Sequence, residues 1–125
     1  MSERPRDTVL EDFVAAFNAA DLNAIRALYT ADAVYVSKPG QVLQGTEFFK
    51  ALVGLLEYRP RIETKIQSTI SNGDTALVIH EWIMTIPSKT GGVPSARRGI
   101  ATDILRLEGD GIWRIAIDNP WGTHS

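Results

Sequence analysis

The sequence predicts an α+β domain: three helices, then an antiparallel meander, with the helices packed on one face of a curved sheet. The apolar residues recur every three to four positions up to Leu56, and every second position after Pro60. Asn72-Gly73-Asp74 and Glu108-Gly109-Asp110-Gly111 then divide the second half as tight turns divide strands. At 125 residues the chain has the length of one domain, taken as residues 1–125. A chain of this size buries somewhat under roughly 70% of its unfolded surface, enough for a core without metals or disulfides.

Val9, Phe13, Ala16, Phe17 and Ala20 share one face of the first helix, and Thr8 with Glu11 fits a capping box at its start. Asp21 caps a second, short helix carrying Leu22, Ile25, Leu28 and Tyr29, which ends at Thr30-Ala31-Asp32. Residues 33–37 are short and β-prone, and Lys38-Pro39-Gly40 closes them off. Thr46 caps the third helix, with Phe48, Phe49, Leu52, Val53, Leu55 and Leu56 as its apolar residues. Ile62, Thr64, Ile66, Ser68 and Ile70 alternate as a half-buried strand. Strands over 75–86 and 95–107 flank an exposed loop containing Gly91-Gly92, and a last strand covers 112–119.

Composition narrows the function classes. Thirteen Lys and Arg against fifteen Asp and Glu give a net charge of −2, which disfavours nucleic acid and anionic membranes as partners. Hydrophobic residues at 44% and charged residues at 22% are the globular norm. The absence of cysteine removes thiol nucleophiles, disulfides, iron–sulfur clusters and thiolate zinc sites. The polar start carries no apolar signal segment, and no stretch reaches the roughly 20 apolar residues of a membrane span. A cytoplasmic protein is the expectation. Dinucleotide, P-loop, serine-hydrolase and zinc-protease motifs are all missing, so no cofactor and no metal are expected.

Three segments carry a family resemblance. They are residues 12–22 (DFVAAFNAADL), 28–34 (LYTADAV) and 111–122 (GIWRIAIDNPWG). In this order they resemble the nuclear transport factor two-like superfamily, in its SnoaL-like and ketosteroid isomerase homologue branch. The resemblance implies a cone-shaped, barrel-like curved sheet with the three helices on its concave face. It also implies an apolar pocket lined by aromatic residues, and a homodimer. The fold hosts many functions, so it does not decide among them. The isomerase's oxyanion-hole tyrosine falls on Phe13, and its general-base aspartate on Ser37 or Lys38. Its second oxyanion-hole acid aligns with Asp103. Two of three positions are thus lost, which counts against steroid isomerisation.

Candidate catalytic residues are Asp103, Asp118 and His80. Asp103 lies between Ala101 and Leu105 on one strand face, where desolvation would favour its neutral form. A structural acid paired with Arg106 or Arg114 is the alternative. Asp118 groups by parity with Ala116 and Arg114, and two acids in one cavity can divide the roles of acid and base. His80 is the internal histidine, either a general base or a hydrogen-bonded core residue, and only one of His80 and Glu81 can face the cavity. Phe13, Phe17, Tyr35, Phe49, Trp82 and Trp121 are the candidate ligand-binding aromatics, with Trp121 at the mouth. Trp113, Ile115 and Ile117 fall on one face of the last strand, opposite Ile112 and Ala116, and suggest a homodimer through the outer sheet face. The expected function is a small hydrophobic-ligand-binding protein, acting without a cofactor as an isomerase, dehydratase or cyclase by acid/base proton transfer in an apolar cavity. The alternative is a non-catalytic binding or accessory module.

Overall fold

A computed structural model describes residues 6–123. A 3-10 turn (Arg6–Thr8) leads into α1 (Val9–Asn18), followed by α2 (Leu22–Ala27), β1 (Tyr29–Lys38), β2 (Gln41–Gln44) and α3 (Thr46–Leu56). Four strands complete the chain: β3 (Arg61–Asn72), β4 (Thr75–Ile86), β5 (Ser95–Leu107) and β6 (Trp113–Asp118). They form one six-stranded sheet in the order β2-β1-β6-β5-β4-β3. The β3–β6 meander is antiparallel, but β1 pairs parallel with β6, so the sheet is mixed rather than antiparallel. β2 and β3 are its two edges, so it is open rather than barrel-closed.

Three local expectations are corrected. Tyr29 starts β1 instead of ending α2: it pairs with Ile115, whose N–H donates to the Leu28 carbonyl at 2.8 Å. Sheet pairing of an aromatic and the β-branched Thr30 outweighs the helical spacing. Gln41–Gln44, to which the sequence pattern assigns no element, folds back on β1 as an antiparallel hairpin strand. The α3 cap is Gly45, at φ +60, rather than Thr46, which is already helical; a residue without Cβ tolerates that turn. Asp21 does cap α2, accepting from the Ala24 N–H at 3.1 Å, whereas Thr8 makes no side-chain cap bond to α1.

The inward side of the sheet and the helices share one core that includes Val9, Phe17, Ile25, Phe48, Leu52, Val78, Leu105 and Ile115. Two bulges decide which side chains point inward. At Gln67 the register with β4 slips, so Ile66 shares a face with His80 while Ile70 shares the opposite one with Leu77. At Ala116 the same happens against β5: Leu105 faces Ile115 and Ile104 faces Ile117. Simple alternation therefore fails in β6. Ile115 is a core residue, 4% exposed, and Trp113 packs on the same core, while Ile117 points outward at 38%. The expected Trp113–Ile115–Ile117 outer face does not exist. The outward apolar row is instead Ile70, Leu77, Ile104 and Ile117, one residue from each of four neighbouring strands.

The segment after β6 is clasped to β5. The Thr102 N–H donates to the Asn119 carbonyl at 2.9 Å, and the Asn119 amide donates to Thr102 Oγ1 at 3.0 Å and the Gly122 carbonyl at 2.9 Å. Gly122 sits at φ +61, and a Cβ there would lie 2.4 Å from the Ile100 carbonyl oxygen. Gly122→Ala therefore meets both a strained backbone and a rigid neighbour. It is expected to lower stability by about 1–3 kcal/mol in urea denaturation; a change below the error of the measurement would contradict the clasp.

Candidate functional site

A cavity of about 120 Å³ lies between the helices and the inner sheet face. A single water needs only ~10–15 Å³, so the space suits a small organic molecule. Its walls are mostly hydrocarbon: Leu10 and Phe13 from α1, Phe48 and Leu52 from α3, Met84 and Ile115 from the sheet. The aromatic side packs edge to face, with Tyr29 and Phe48 centroids 5.0 Å apart and Phe13 and Tyr29 6.3 Å apart. Tyr35 stacks on Phe48 at 5.0 Å.

Into this apolar space the sheet projects two hydrogen-bonded acids. Asp118 reaches it because the Ala116 bulge reverses the parity that grouped it with Arg114, and because β1 places Tyr35 in register beside it. Its Oδ2 accepts from the Tyr29 hydroxyl at 2.6 Å. Asp103, 7% exposed, accepts the Asn119 N–H on Oδ1 at 2.9 Å, and its Oδ2 lies 2.7 Å from His80 Nε2. Neither Arg106 nor Arg114 is its partner: Arg106 pairs with Asp32, and Arg114 with Glu108 and Asp110. His80, 5% exposed, faces inward and Glu81 outward. Among the described residues, His80 Nδ1 is buried with no hydrogen-bonding partner.

Burial above all, and then the negative field of Asp103, push the Asp118 carboxyl up to about 7; the Tyr29 hydroxyl and His80 only partly offset this. Burial likewise lifts Tyr35 to about 12 and Tyr29 well above the ordinary phenol value, with Asp118 adding to both. Both phenols therefore stay neutral hydrogen-bond donors, while Asp118 exchanges its proton near neutral pH.

The cavity thus gathers Asp103, Asp118, His80, Phe13, Phe17, Tyr35 and Trp82. It does not take in Phe49 or Trp121. Phe49 stacks on Phe48 and lies under the Arg26 guanidinium, 4.7 Å from ring centre to Cζ. Trp121 packs edge to face against Trp82, and Pro120 takes the place at the wall, its carbonyl accepting from Trp82 Nε1 at 2.7 Å. Ser37 and Lys38, the two positions on which the isomerase base could fall, are not part of the wall, and Ser37 bonds Gln41. Tyr29 was missed as a polar site residue because its helical spacing assigned it to a core stripe; the Thr30 that follows was the available signal for a strand. Among the described residues no group of three or more potential metal ligands gathers, and no helix is long and apolar enough to cross a membrane. His124 lies outside the described residues.

An α+β fold with acids held in an aromatic cavity defines a class of small pocket proteins, and sequence similarity gives the family. The SnoaL-like domain profile matches residues 10–115, and the chain belongs to that family. A conserved protein of Planctomyces limnophilus superposes with a TM-score of 0.81 at 19% identity, over 90% of this chain and 88% of that one. A ketosteroid isomerase-like protein of Erwinia carotovora atroseptica gives 0.77 at 23% identity over 90% and 88%. A candidate dehydratase of the NTF2-like family from Streptomyces avermitilis gives 0.76 at 17% identity over 95% and 94%. No functionally curated protein matches the sequence.

The raised carboxyl has a consequence for stability. The unfolded chain loses the Asp118 proton near 3.9 and the folded chain near 7. Ionisation thus favours unfolding, and stability falls between about pH 4 and pH 7 and is lower by a constant amount above it. Asp118→Asn keeps an acceptor for Tyr29 and removes the ionisation. It is expected to be more stable than the parent at pH 8, by on the order of 1–4 kcal/mol, and nearly equal to it at pH 4. Thermal melts at both pH values check this; a variant less stable at pH 8 contradicts it.

Proposed function

We propose that this protein binds a small, largely apolar molecule bearing a carbonyl or hydroxyl group and moves a proton on it without a cofactor, as an isomerase, dehydratase or cyclase does. The observation that carries the reading is the Asp118–Tyr29 pair, a carboxyl that titrates near neutrality beside a phenol that does not, in an otherwise hydrocarbon cavity. Ionised Asp118 takes a proton from the carbon next to a carbonyl. Once Asp118 is protonated it no longer needs the Tyr29 hydroxyl as donor, and Tyr29 is then available to the negative oxygen that forms. The hydroxyl that Phe13 lacks is in this reading supplied by Tyr29, whose ring packs against Phe13. The neighbours described as ketosteroid isomerase-like and as a candidate dehydratase support the reaction class.

In this reading residues 1–125 are one cytoplasmic domain, its sheet wrapped as a cone around the helices, with no nucleic acid or membrane partner. The partner is a second copy of the chain, seated on the outward row of Ile70, Leu77, Ile104 and Ile117. Ile70, 57% exposed, and Ile117, 38%, leave apolar area that a homodimer would cover.

The chemistry is tested by the exchange of the α-protons of 1-indanone in D2O, followed by NMR. The expected result is an accelerated exchange that rises through about pH 7 and falls by roughly 10²–10⁴-fold in Asp118→Asn. Binding of 1-indanone with exchange no faster than in buffer would instead indicate a non-catalytic binding module.

Assembly is tested by sedimentation at micromolar concentration, with twice the 13.8 kDa chain mass expected. Ile117→Glu should yield a folded monomer, because its charge is unpaired only in the dimer. A parent protein that sediments as a monomer contradicts the assembly.

A further inference from the structure

The cavity has a second polar pole that proton transfer at Asp118 does not use. His80 lines the wall with Nε2 on Asp103 and Nδ1 buried and unpartnered among the described residues. A buried polar atom without a partner is costly, and such atoms in folded proteins call for a reason. Asp103 is itself held from behind: the Asn119 N–H donates to Oδ1, and the clasp of Asn119 onto Thr102 and Gly122 fixes that N–H in place.

We propose that this relay makes His80 Nδ1 a dedicated acceptor for a hydroxyl group, so that the ligand is an alcohol or a hydroxy-carbonyl compound. Oδ1 is engaged by the Asn119 N–H, and Oδ2 faces the imidazole. The ring proton then sits on Nε2 and donates to Oδ2. Nδ1 keeps its lone pair and accepts only. A ligand hydroxyl satisfies it, and a carbonyl oxygen in the same place meets it lone pair to lone pair. Asn119 is the positioning residue: through its backbone it determines how the carboxylate presents Oδ2, and through the carboxylate which ring nitrogen carries the proton. The inference rests on the cavity being the ligand site proposed above, but it concerns His80 and not Asp118.

Asp103→Asn tests it by reversing the polarity. The Asn119 N–H still needs an acceptor and takes the amide oxygen, which turns the amide nitrogen toward His80. That nitrogen donates to Nε2, so the ring proton must move to Nδ1, which becomes a donor. Two-bond ¹H–¹⁵N spectra of His80 should show the Nε2–H tautomer in the parent protein and the Nδ1–H tautomer in Asp103→Asn. The ratio of dissociation constants for 1-indanol and 1-indanone should shift at least tenfold toward the ketone in the variant. A parent protein with the proton on Nδ1 overturns the proposal, and this measurement does not depend on the variant folding. So does a ratio unchanged within twofold once the tautomer has switched. Failure here with α-proton exchange at Asp118 intact leaves the proposed chemistry standing, whereas loss of exchange with a normal His80 response removes the chemistry alone.

Discussion

Two carboxyl groups project into a space walled almost entirely by hydrocarbon, and the arrangement of the site follows from that constraint. A carboxylate taken out of water needs donors, a counter-charge or a proton. Asp103 takes the first solution, with a backbone N–H and an imidazole on its two oxygens. Asp118 has a single phenolic donor and takes the last, keeping its proton up to about pH 7. The two acids also oppose each other electrostatically, so Asp103, held on its donors, adds to the shift of Asp118. One acid is thus held by its donors while the other exchanges its proton.

The fold delivers these groups through irregularities as much as through regular elements. Without the extra residue at Ala116, Asp118 would share a face with Ala116 and Arg114 and point away from Tyr29. Without the parallel pairing of β1 to β6, Tyr29 and Tyr35 would not lie beside it. Past β6 the chain turns at Gly122 and is tied to β5, so that the backbone of Asn119 supports Asp103 and Pro120 closes the wall. The site therefore depends on the bulge, the parallel pair and the terminal clasp together.

These same features explain what could be read from the sequence. The α+β class, the borders of β4 and β5 and the three helices were legible, because amphipathic periods of 3.6 and 2 persist over many residues and strong turn residues delimit them. The inward direction of Asp103 was legible from Ala101 and Leu105, its neighbours in a strand without interruption. Asp118 was named, but its parity was misassigned, since a bulge depends on pairing with another strand and leaves little trace in local alternation. The same slip put Ile115 on a supposed outer face. Tyr29 was read as part of a helix, because its spacing fits both a helical stripe and a strand start and only the pairing with β6 decides. Phe49 and Trp121 have the composition of a pocket wall and lie one layer behind it, a distinction that requires the packing of neighbouring rings.

Burial in this cavity moves the Asp118 carboxyl to near-neutral titration. That titration is measured most directly by following the ¹³C chemical shift of the Asp118 side-chain carboxyl from pH 3 to pH 9, assigned by its disappearance in Asp118→Asn. A midpoint near 7 is expected. A midpoint near 4, the ordinary value for an aspartate in water, would mean that the carboxyl is solvated and that the cavity does not hold it as described.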